Sequence, residues 1–245
     1  MPIDYALTQK IIAKAESLRD GVCAGIVRLE DVLQGPSYRA VQDAPGRAML
    51  FGDDIQVVDW PVNSQSVVVL GLKHPRSDLR LDWWERGDTF GNRHLRRMSQ
   101  NLKRWLFKHH GLNAVPLPYN VEKGGLFLKD AAVLAGLGIV GRNNLVVHPQ
   151  FGPRVRWRSV LIMEVLTPTA PIQGFAPCAT CDSRCHQACP TGAFAQGSYA
   201  RPACMQQLNK DEARREAEGR FDVHGRYHPI IRYCRACELA CPVGT

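Results

Sequence analysis

The chain has 245 residues, of which 45% are hydrophobic and 22% charged, and its formal net charge is +8. This length and composition are typical of a soluble protein with one large or two ordinary domains. No apolar run approaches the ~18 residues of a membrane span, and residues 1–20 carry charges throughout, so we expect neither a membrane segment nor an export signal and place the protein in the cytoplasm.

The region before residue 167 carries mixed helix and strand signals. The predicted elements are a helix over residues 4–19, strands over Val22–Val27 and Ser66–Leu72, a helix over Lys129–Leu137, and strands over Leu145–Val147 and Val155–Val165. Mixed signals of this kind favour an α/β or α+β sandwich.

One further segment, between residues 93 and 108, has the pattern of an amphipathic helix. Its basic residues are Arg93, Arg96, Arg97, Lys103, Arg104 and Lys108. The apolar stripe opposite them comprises Leu95, Met98, Leu102, Trp105 and Leu106. A solvated helix face is the simplest interpretation, and contact with RNA or with an acidic redox partner is the alternative. The pattern alone does not establish a nucleic-acid partner.

A glycine-rich motif, Gly136-Leu-Gly138-Ile-Val-Gly141, has the spacing of a dinucleotide-binding fingerprint. Such a fingerprint follows a strand, opens a helix and is followed by an acidic residue about 20 positions later. Here the glycines follow a predicted helix and lead into a strand, and position 161 is leucine. Two interpretations stay open: a helix cap with a tight turn, or a loop that offers its backbone to another flat cofactor.

A proline-rich stretch at residues 167–177 precedes most of the cysteines. We therefore expect two domains, 1–172 and 173–245. A simple electron carrier needs only the second domain, so the size of the first favours an enzyme that holds a substrate or a second cofactor there.

Eight of the nine cysteines lie after residue 177: seven form two runs that each end in Cys-Pro, and Cys204 stands alone between them. The pattern is close to that of bacterial two-cluster ferredoxins, in which the last cysteine of a run ligates the other cluster. This crossing predicts two 4Fe-4S clusters. The ligands of one would be Cys178, Cys181, Cys185 and Cys241, and those of the other Cys189, Cys204, Cys234 and Cys237. Zinc is a weaker alternative for the CxxC pairs, and Cys23 is expected to be a buried, inert thiol.

Residues 129–162, followed by the proline-rich stretch and the eight cysteines, resemble the epoxyqueuosine reductase family, which is related to the reductive dehalogenases. The resemblance implies an α+β chain: a nitroreductase-like domain that binds cobalamin, followed by a ferredoxin-like domain with two clusters. It also implies that electrons from a low-potential donor, such as ferredoxin or flavodoxin, pass through the clusters to the corrinoid. A C–O or C–halogen bond of a small molecule or modified nucleoside would then be cleaved reductively. The residues expected to line the cofactor pocket are Gly136, Gly138, Gly141, Asn143, Asn144, Gly152, Arg154 and Arg156.

Reductive cleavage also needs a proton donor. The resemblance implies an acidic residue shortly before the glycine-rich motif, where this chain has residues 119–125. The candidates are Tyr119, Glu122 and Asp130, with Tyr119 preferred because it follows a proline-rich turn and precedes Lys123.

Two other functions stay open. The protein could be a non-catalytic electron-transfer or corrinoid-reactivating iron–sulfur protein, or a reductase with FMN in the same pocket. The chain ends four residues after Cys241 and would be a short form without the C-terminal helical repeats of longer family members. Action on tRNA is therefore not expected from the sequence.

Overall fold

The computed structural model describes residues 5–42, 60–215, 217 and 219–244. The chain divides into two compact units: the first combines residues 1–72, 95–138 and 157–173, and the second 73–94, 139–156 and 174–245. The domain boundary predicted from the sequence, between residues 172 and 173, lies next to the start of the last of these segments. It also assigned 73–94 and 139–156 to the first domain, whereas the structure groups both with the cysteine-rich segment.

The first unit contains a four-stranded sheet. Its strands are β1 (Val22–Arg28), β2 (Ser66–Lys73), β5 (Ala114–Pro116) and β8 (Val155–Ile162). Their order across the sheet is β1-β2-β8-β5. β1 pairs with β2, and β5 with β8, in antiparallel register. The first six residues of β1 and the first seven of β2 are buried, so both faces of these strands are covered. The strands predicted over 22–27, 66–72 and 155–165 are thus present, the last ending three residues early.

The helices of this unit supply the other side of the core. They are α1 (Tyr5–Glu16), α2 (Leu29–Leu33), α3 (Pro36–Gln42), α4 (Phe90–His110) and α5 (Leu128–Leu134), with a 3₁₀ turn at Val121–Lys123. The first five residues of α4 belong to the second unit. The leucines of α4 that are completely buried are Leu95, Leu102 and Leu106, together with Ser99. The amphipathic helix is confirmed, except that Arg93 is only partly exposed because it donates to the carbonyl oxygens of Glu85 and Asp88.

Helix α5 ends earlier than its pattern predicts, because the backbone turns left-handed at Gly136, where φ is +71°. The amide of Leu137 donates to the carbonyl oxygen of Ala132, closing a glycine helix cap. A Cβ atom at Gly136 would lie 2.3 Å from the carbonyl oxygen of Ala170. The first glycine of the motif therefore ends a helix. In a dinucleotide-binding fingerprint the glycines would instead follow a strand and open a helix.

The second unit is built from short elements. Its strands are β3 (Trp84–Glu85), β4 (Asp88–Thr89), β9 (Gly219–Phe221) and β10 (Tyr227–Ile231), in the order β4-β3-β10-β9, and the pair β6 (Ile139–Val140) and β7 (Val146–Val147). Its helices are a 3₁₀ turn at Leu79–Asp82, α6 (Arg184–Gln187), α7 (Arg201–Ala213) and α8 (Ala236–Leu239). Helices α6 and α8 pack against each other. Each carries one cysteine, so their contact brings the two cysteine runs together.

The described residues thus form a mixed α and β fold. No helix within them is long and apolar enough to cross a lipid bilayer.

Candidate metal centre

The eight clustered cysteines all lie in the second unit, on loops and short helices. Cys185 and Cys237 belong to α6 and α8, Cys204 to α7, and the others lie on adjoining turns. None of the nine cysteines, all of which are described, forms a disulfide.

The first group of thiols joins the two runs. Burial raises the pKa of Cys185, and the neighbouring thiols of Cys241 and Cys178 raise it further. Burial also raises the pKa of Cys241, with further contributions from Cys178 and Cys181. Cys241, at the end of the chain, is therefore close to cysteines of the first run.

The second group comprises the other four. Burial, with smaller contributions from Cys234, Glu238, Cys204 and Cys189, raises the pKa of Cys237 to about 12. Burial likewise raises the pKa of Cys234, to which Cys204 and Cys189 contribute. These four are the cysteines that the crossed ligand pattern assigns to the second cluster, and that assignment stays a prediction.

Cys189 differs from its neighbours because backbone amides point at its sulfur. Burial on its own would raise the pKa of this thiol, but hydrogen bonds from residues that include Ala193 and Thr191 outweigh burial and lower the pKa. The amide of Ala193 lies 3.3 Å from the Cys189 sulfur. Amide donors of this kind stabilise a thiolate and help to set the potential of a bound metal cluster.

Among the described residues, no three His, Cys, Asp or Glu side chains converge on one point where a single ion could bind.

The glycine-rich segment lies beside the first group of thiols. A Cβ atom at Gly141 would lie 3.6 Å from the Cys178 sulfur and 2.6 Å from a Val147 methyl carbon. The guanidinium of Arg142 donates to the Cys181 carbonyl oxygen (3.3 Å) and the Ser183 hydroxyl (2.8 Å). The next two positions shape the turn: the buried Asn143 accepts a hydrogen bond from the amide of Leu145, and Asn144 has a φ of +57°.

The segment from Gly152 to Arg154 holds the other end of that group. Arg154 is only 1% exposed, and its guanidinium donates to the carbonyl oxygens of Cys241 (3.2 Å) and Val243 (2.6 Å). Gly152 has a φ of +61°, and a Cβ atom there would lie 2.0 Å from the Val243 carbonyl oxygen. Contact of these residues with a flat cofactor stays a prediction. In the structure, Arg154 contacts Cys241 and Val243, and Gly152 lies against Val243.

A buried group of charges flanks the loop between Cys234 and Cys237. Asp82 is approached by His74 Nδ1 (2.8 Å), by Arg156 (2.7 Å) and by Arg235, which also pairs with Glu238. Arg156 reaches Glu238 as well, at 2.8 Å. Burial would raise the pKa of both carboxylates, but these partners outweigh burial and hold each pKa below its usual range. Arg156, expected from the resemblance to line a cofactor pocket, thus forms ion pairs with Asp82 and Glu238.

Sequence reasoning missed His74, Asp82, Arg235 and Glu238. His74 stands directly before Pro75, as a turn residue would, and it is completely buried. The sequence contains one signal: Arg235 stands inside the C-x2-C of the second run, and Glu238 directly follows it. Charged residues next to cluster cysteines need partners when they are buried.

The three candidate proton donors lie in the first unit, in different surroundings. Tyr119 is 43% exposed, and the Glu122 carboxylate accepts a hydrogen bond from the Asn120 side chain at 2.7 Å. Asp130 is 8% exposed, and its two oxygens accept from the Ser37 amide (2.8 Å) and the Ser37 hydroxyl (3.0 Å). Asp130 therefore caps helix α3, which argues against a role as proton donor.

Sequence comparisons reveal distant relatives, although no protein-family model matches the chain. The chain is 25% identical over 191 residues to the epoxyqueuosine reductase of Bacillus anthracis, an alignment that covers 73% of this chain and 48% of that one. It is 27% identical over 124 residues to the Bacillus subtilis enzyme (50% and 30%). It is also 29% identical over 144 residues to tetrachloroethene reductive dehalogenase of Sulfurospirillum multivorans (56% and 27%).

Solved structures agree with these relatives. An epoxyqueuosine reductase superposes with a TM-score of 0.67 at 20% identity, over 98% of this chain and 66% of that one. A second structure, of epoxyqueuosine reductase with an epoxyqueuosine-modified tRNA-Tyr stem loop, gives 0.62 at 21% identity, with the same coverage. The chain is related to the epoxyqueuosine reductases in sequence and shares their fold. A reductive dehalogenase superposes with a TM-score of 0.50 at 17% identity (69% and 23%). The chain spans about half the length, or less, of the curated relatives named above.

Proposed function

We propose that the protein is an iron–sulfur reductase of the epoxyqueuosine reductase type. The observation that carries the proposal is that thiols from both cysteine runs, and Cys204 from the helix between them, lie close enough to shift one another's pKa. Two 4Fe-4S clusters require eight thiolates, and this arrangement provides them without Cys23. The two-cluster ferredoxin-like character of residues 173–245 is part of this proposal.

When bound, the clusters supply single electrons, and a corrinoid supplies a strongly reducing cobalt centre for cleavage of a C–O or C–halogen bond. The protein's own residues hold the cluster ligands. Arg142 and Arg154 bind the backbone around Cys181 and Cys241 and fix the first group. The amide of Ala193 stabilises the Cys189 thiolate in the second.

The corrinoid is proposed from the relatives, one of which is described as carrying out B12-dependent dehalogenation. The nitroreductase-like description of the first domain rests on the same likeness, and FMN is the alternative occupant. For the proton donor we retain Tyr119 and Glu122. Both lie on the loop that ends at Gly125, whose amide donates to the carbonyl oxygen of Asn120 at 2.9 Å.

The substrate we propose to test first is epoxyqueuosine, as a free nucleoside and within a tRNA stem loop, because a related structure holds such a stem loop. The basic face of α4 offers a surface for an anionic partner. It includes Arg97, Lys103 and Lys108 next to Phe107, which is 66% exposed. A ferredoxin or flavodoxin remains the proposed electron donor.

The test begins with anaerobic cluster reconstitution, for which we expect eight iron atoms per chain. Cys241→Ser should lose about half of this iron, whereas Cys23→Ser should keep all of it, because Cys23 is buried away from both groups with a pKa of about 12. Equal iron in wild type and Cys241→Ser would refute the ligand assignment.

The reconstituted protein would then be titrated with cobalamin under optical detection. A shift to a base-off spectrum at one equivalent supports the corrinoid, and turnover of epoxyqueuosine then tests the reaction. Intact clusters without a spectral shift would remove the corrinoid and favour an electron carrier, or FMN if that cofactor binds instead.

A further inference from the structure

The buried charges around Asp82 suggest a role beyond packing. We propose that Asp82 is a positioning residue for the loop Cys234–Cys237, which it holds through Arg235, and that it thereby sets the reduction potential of the cluster bound by the second thiol group. The inference rests on the proposed function, because it concerns a cluster that the second group would bind.

Asp82 occupies a fixed position at the end of a 3₁₀ turn. Its side chain is 11% exposed and contacts three cationic or hydrogen-bonding groups, those of His74, Arg156 and Arg235. A carboxylate so enclosed is tied to its partners more firmly than a surface residue, because water does not compete for its oxygens.

His74 completes the support. Its amide donates to the carbonyl oxygen of Arg154 at 2.8 Å, its ring nitrogen reaches Asp82 at 2.8 Å, and its carbonyl oxygen accepts from Arg235 at 3.3 Å. The ring is packed against α4 so closely that a Cβ atom at Gly91 would lie 2.1 Å from two of its atoms. His74 therefore restricts the positions of both Asp82 and Arg235.

Arg235 connects this support to the cysteines. It stands directly after Cys234, and its side chain is 9% exposed. Its guanidinium contacts Asp82, Glu238 and the His74 carbonyl oxygen. A planar guanidinium with partners on several sides has one favoured orientation, so the backbone between Cys234 and Cys237 is held in one conformation.

Two carboxylates, Asp82 and Glu238, face two guanidiniums, Arg156 and Arg235, all within the second unit. The guanidiniums of Arg154 and Arg76 add positive charge close to this group. Loss of the Asp82 charge would leave the group with a net positive charge beside two cluster ligands. Because buried charges are weakly screened, and cluster potentials depend on nearby charge and hydrogen bonds, reduction of that cluster should become easier.

The experiment compares Asp82→Asn with Asp78→Asn in the cluster-reconstituted protein. Asp78 lies four residues earlier and pairs at 3.3 Å with Arg80, which is 73% exposed, so this control makes the same charge change outside the group. Iron content and an anaerobic redox titration followed by electron paramagnetic resonance report on each cluster separately. For Asp82→Asn we expect one cluster to shift to a more positive potential, or to be lost with about half of the iron, while the other is unchanged. Asp78→Asn should match the wild type, and Asp82→Glu should restore part of the shift.

Arg235→Lys provides a second test that keeps the charge and removes the guanidinium fork. It should alter the signal of the same cluster, and it decides the matter alone if Asp82→Asn does not fold. Wild-type potentials in both variants, or equal shifts of both clusters, would overturn the inference. Failure of the wild-type protein to take up iron would instead refute the proposed function, so the two failures are distinguishable.

Discussion

Whether Asp130 has a structural or a catalytic role can be tested directly. The sequence predicts a proton donor at this position, whereas in the structure the Asp130 carboxylate caps a helix. Its carboxylate lies against the start of helix α3, where it accepts from the amide and the hydroxyl of Ser37 at 2.8 and 3.0 Å. Gly35 provides the room, because a Cβ atom there would lie 2.8 Å from an Asp130 oxygen. Asp130→Ala removes both hydrogen bonds and leaves the first turn of α3 without a cap.

The cost follows from these contacts. A hydrogen bond to a charged group contributes ~1.5–3 kcal/mol and a helix cap ~0.5–2 kcal/mol. Ser37 is partly exposed, so water recovers some of the loss, and about 2–4 kcal/mol remains. At roughly 2–4 °C per kcal/mol for a chain of this size, the melting temperature should fall by roughly 4–16 °C.

The assay is thermal unfolding of the reconstituted protein under anaerobic conditions, with Asp20→Ala, in an exposed turn, as the control. Turnover per bound iron should stay near the wild-type value once the folded fraction is taken into account. A melting temperature within about 2 °C of the control would show that the cap contributes little. Loss of turnover without loss of stability would return Asp130 to the proton donors.

Three further predictions concern other residues. Burial lowers the pKa of His148 to about 4, so the unfolded chain binds a proton there that the folded chain does not. Stability should therefore decline as the pH falls from about 6.5 towards 4, by roughly 2 kcal/mol after solvent screening, and His148→Asn should remove this part of the pH dependence in denaturant unfolding. Burial raises the pKa of Cys23 to about 12, so iodoacetamide at pH 8 should leave it unmodified in the native protein and alkylate it in urea, as read by mass spectrometry. Gly152→Ala should displace the Val243 carbonyl oxygen and reduce iron content, whereas Gly174→Ala, which also has a positive φ but no atom within 4 Å of the added methyl group, should keep its iron. Equal iron contents for these two variants would show that the Gly152 contact is not needed.

Much of this protein can be read from local sequence. The valine-rich runs of β1 and β2 predict buried strands because residues with branched side chains fit a pleated surface. The spacing of apolar residues along α4 predicts its buried stripe. The cysteine spacing predicts two interlocked groups of cluster ligands. This prediction needs only the number of ligands and the lengths of the loops between them, and no contact between distant residues. Helix α5 was predicted three residues too long, because the helical pattern continues past the left-handed turn at Gly136.

Only the tertiary structure decided which charged residues support the cysteines. Asp82 and Arg235 lie far apart in the chain and meet because residues 73–94 and 139–156 join the cysteine-rich segment in one compact unit. The same holds for Asp130, whose cap on α3 depends on a contact between distant helices. An ion pair or a cap between remote segments leaves no periodic pattern, since either partner alone looks like an ordinary surface residue. Sequence therefore determined the chemistry that the cysteines can support, and folding determined which side chains hold them in place.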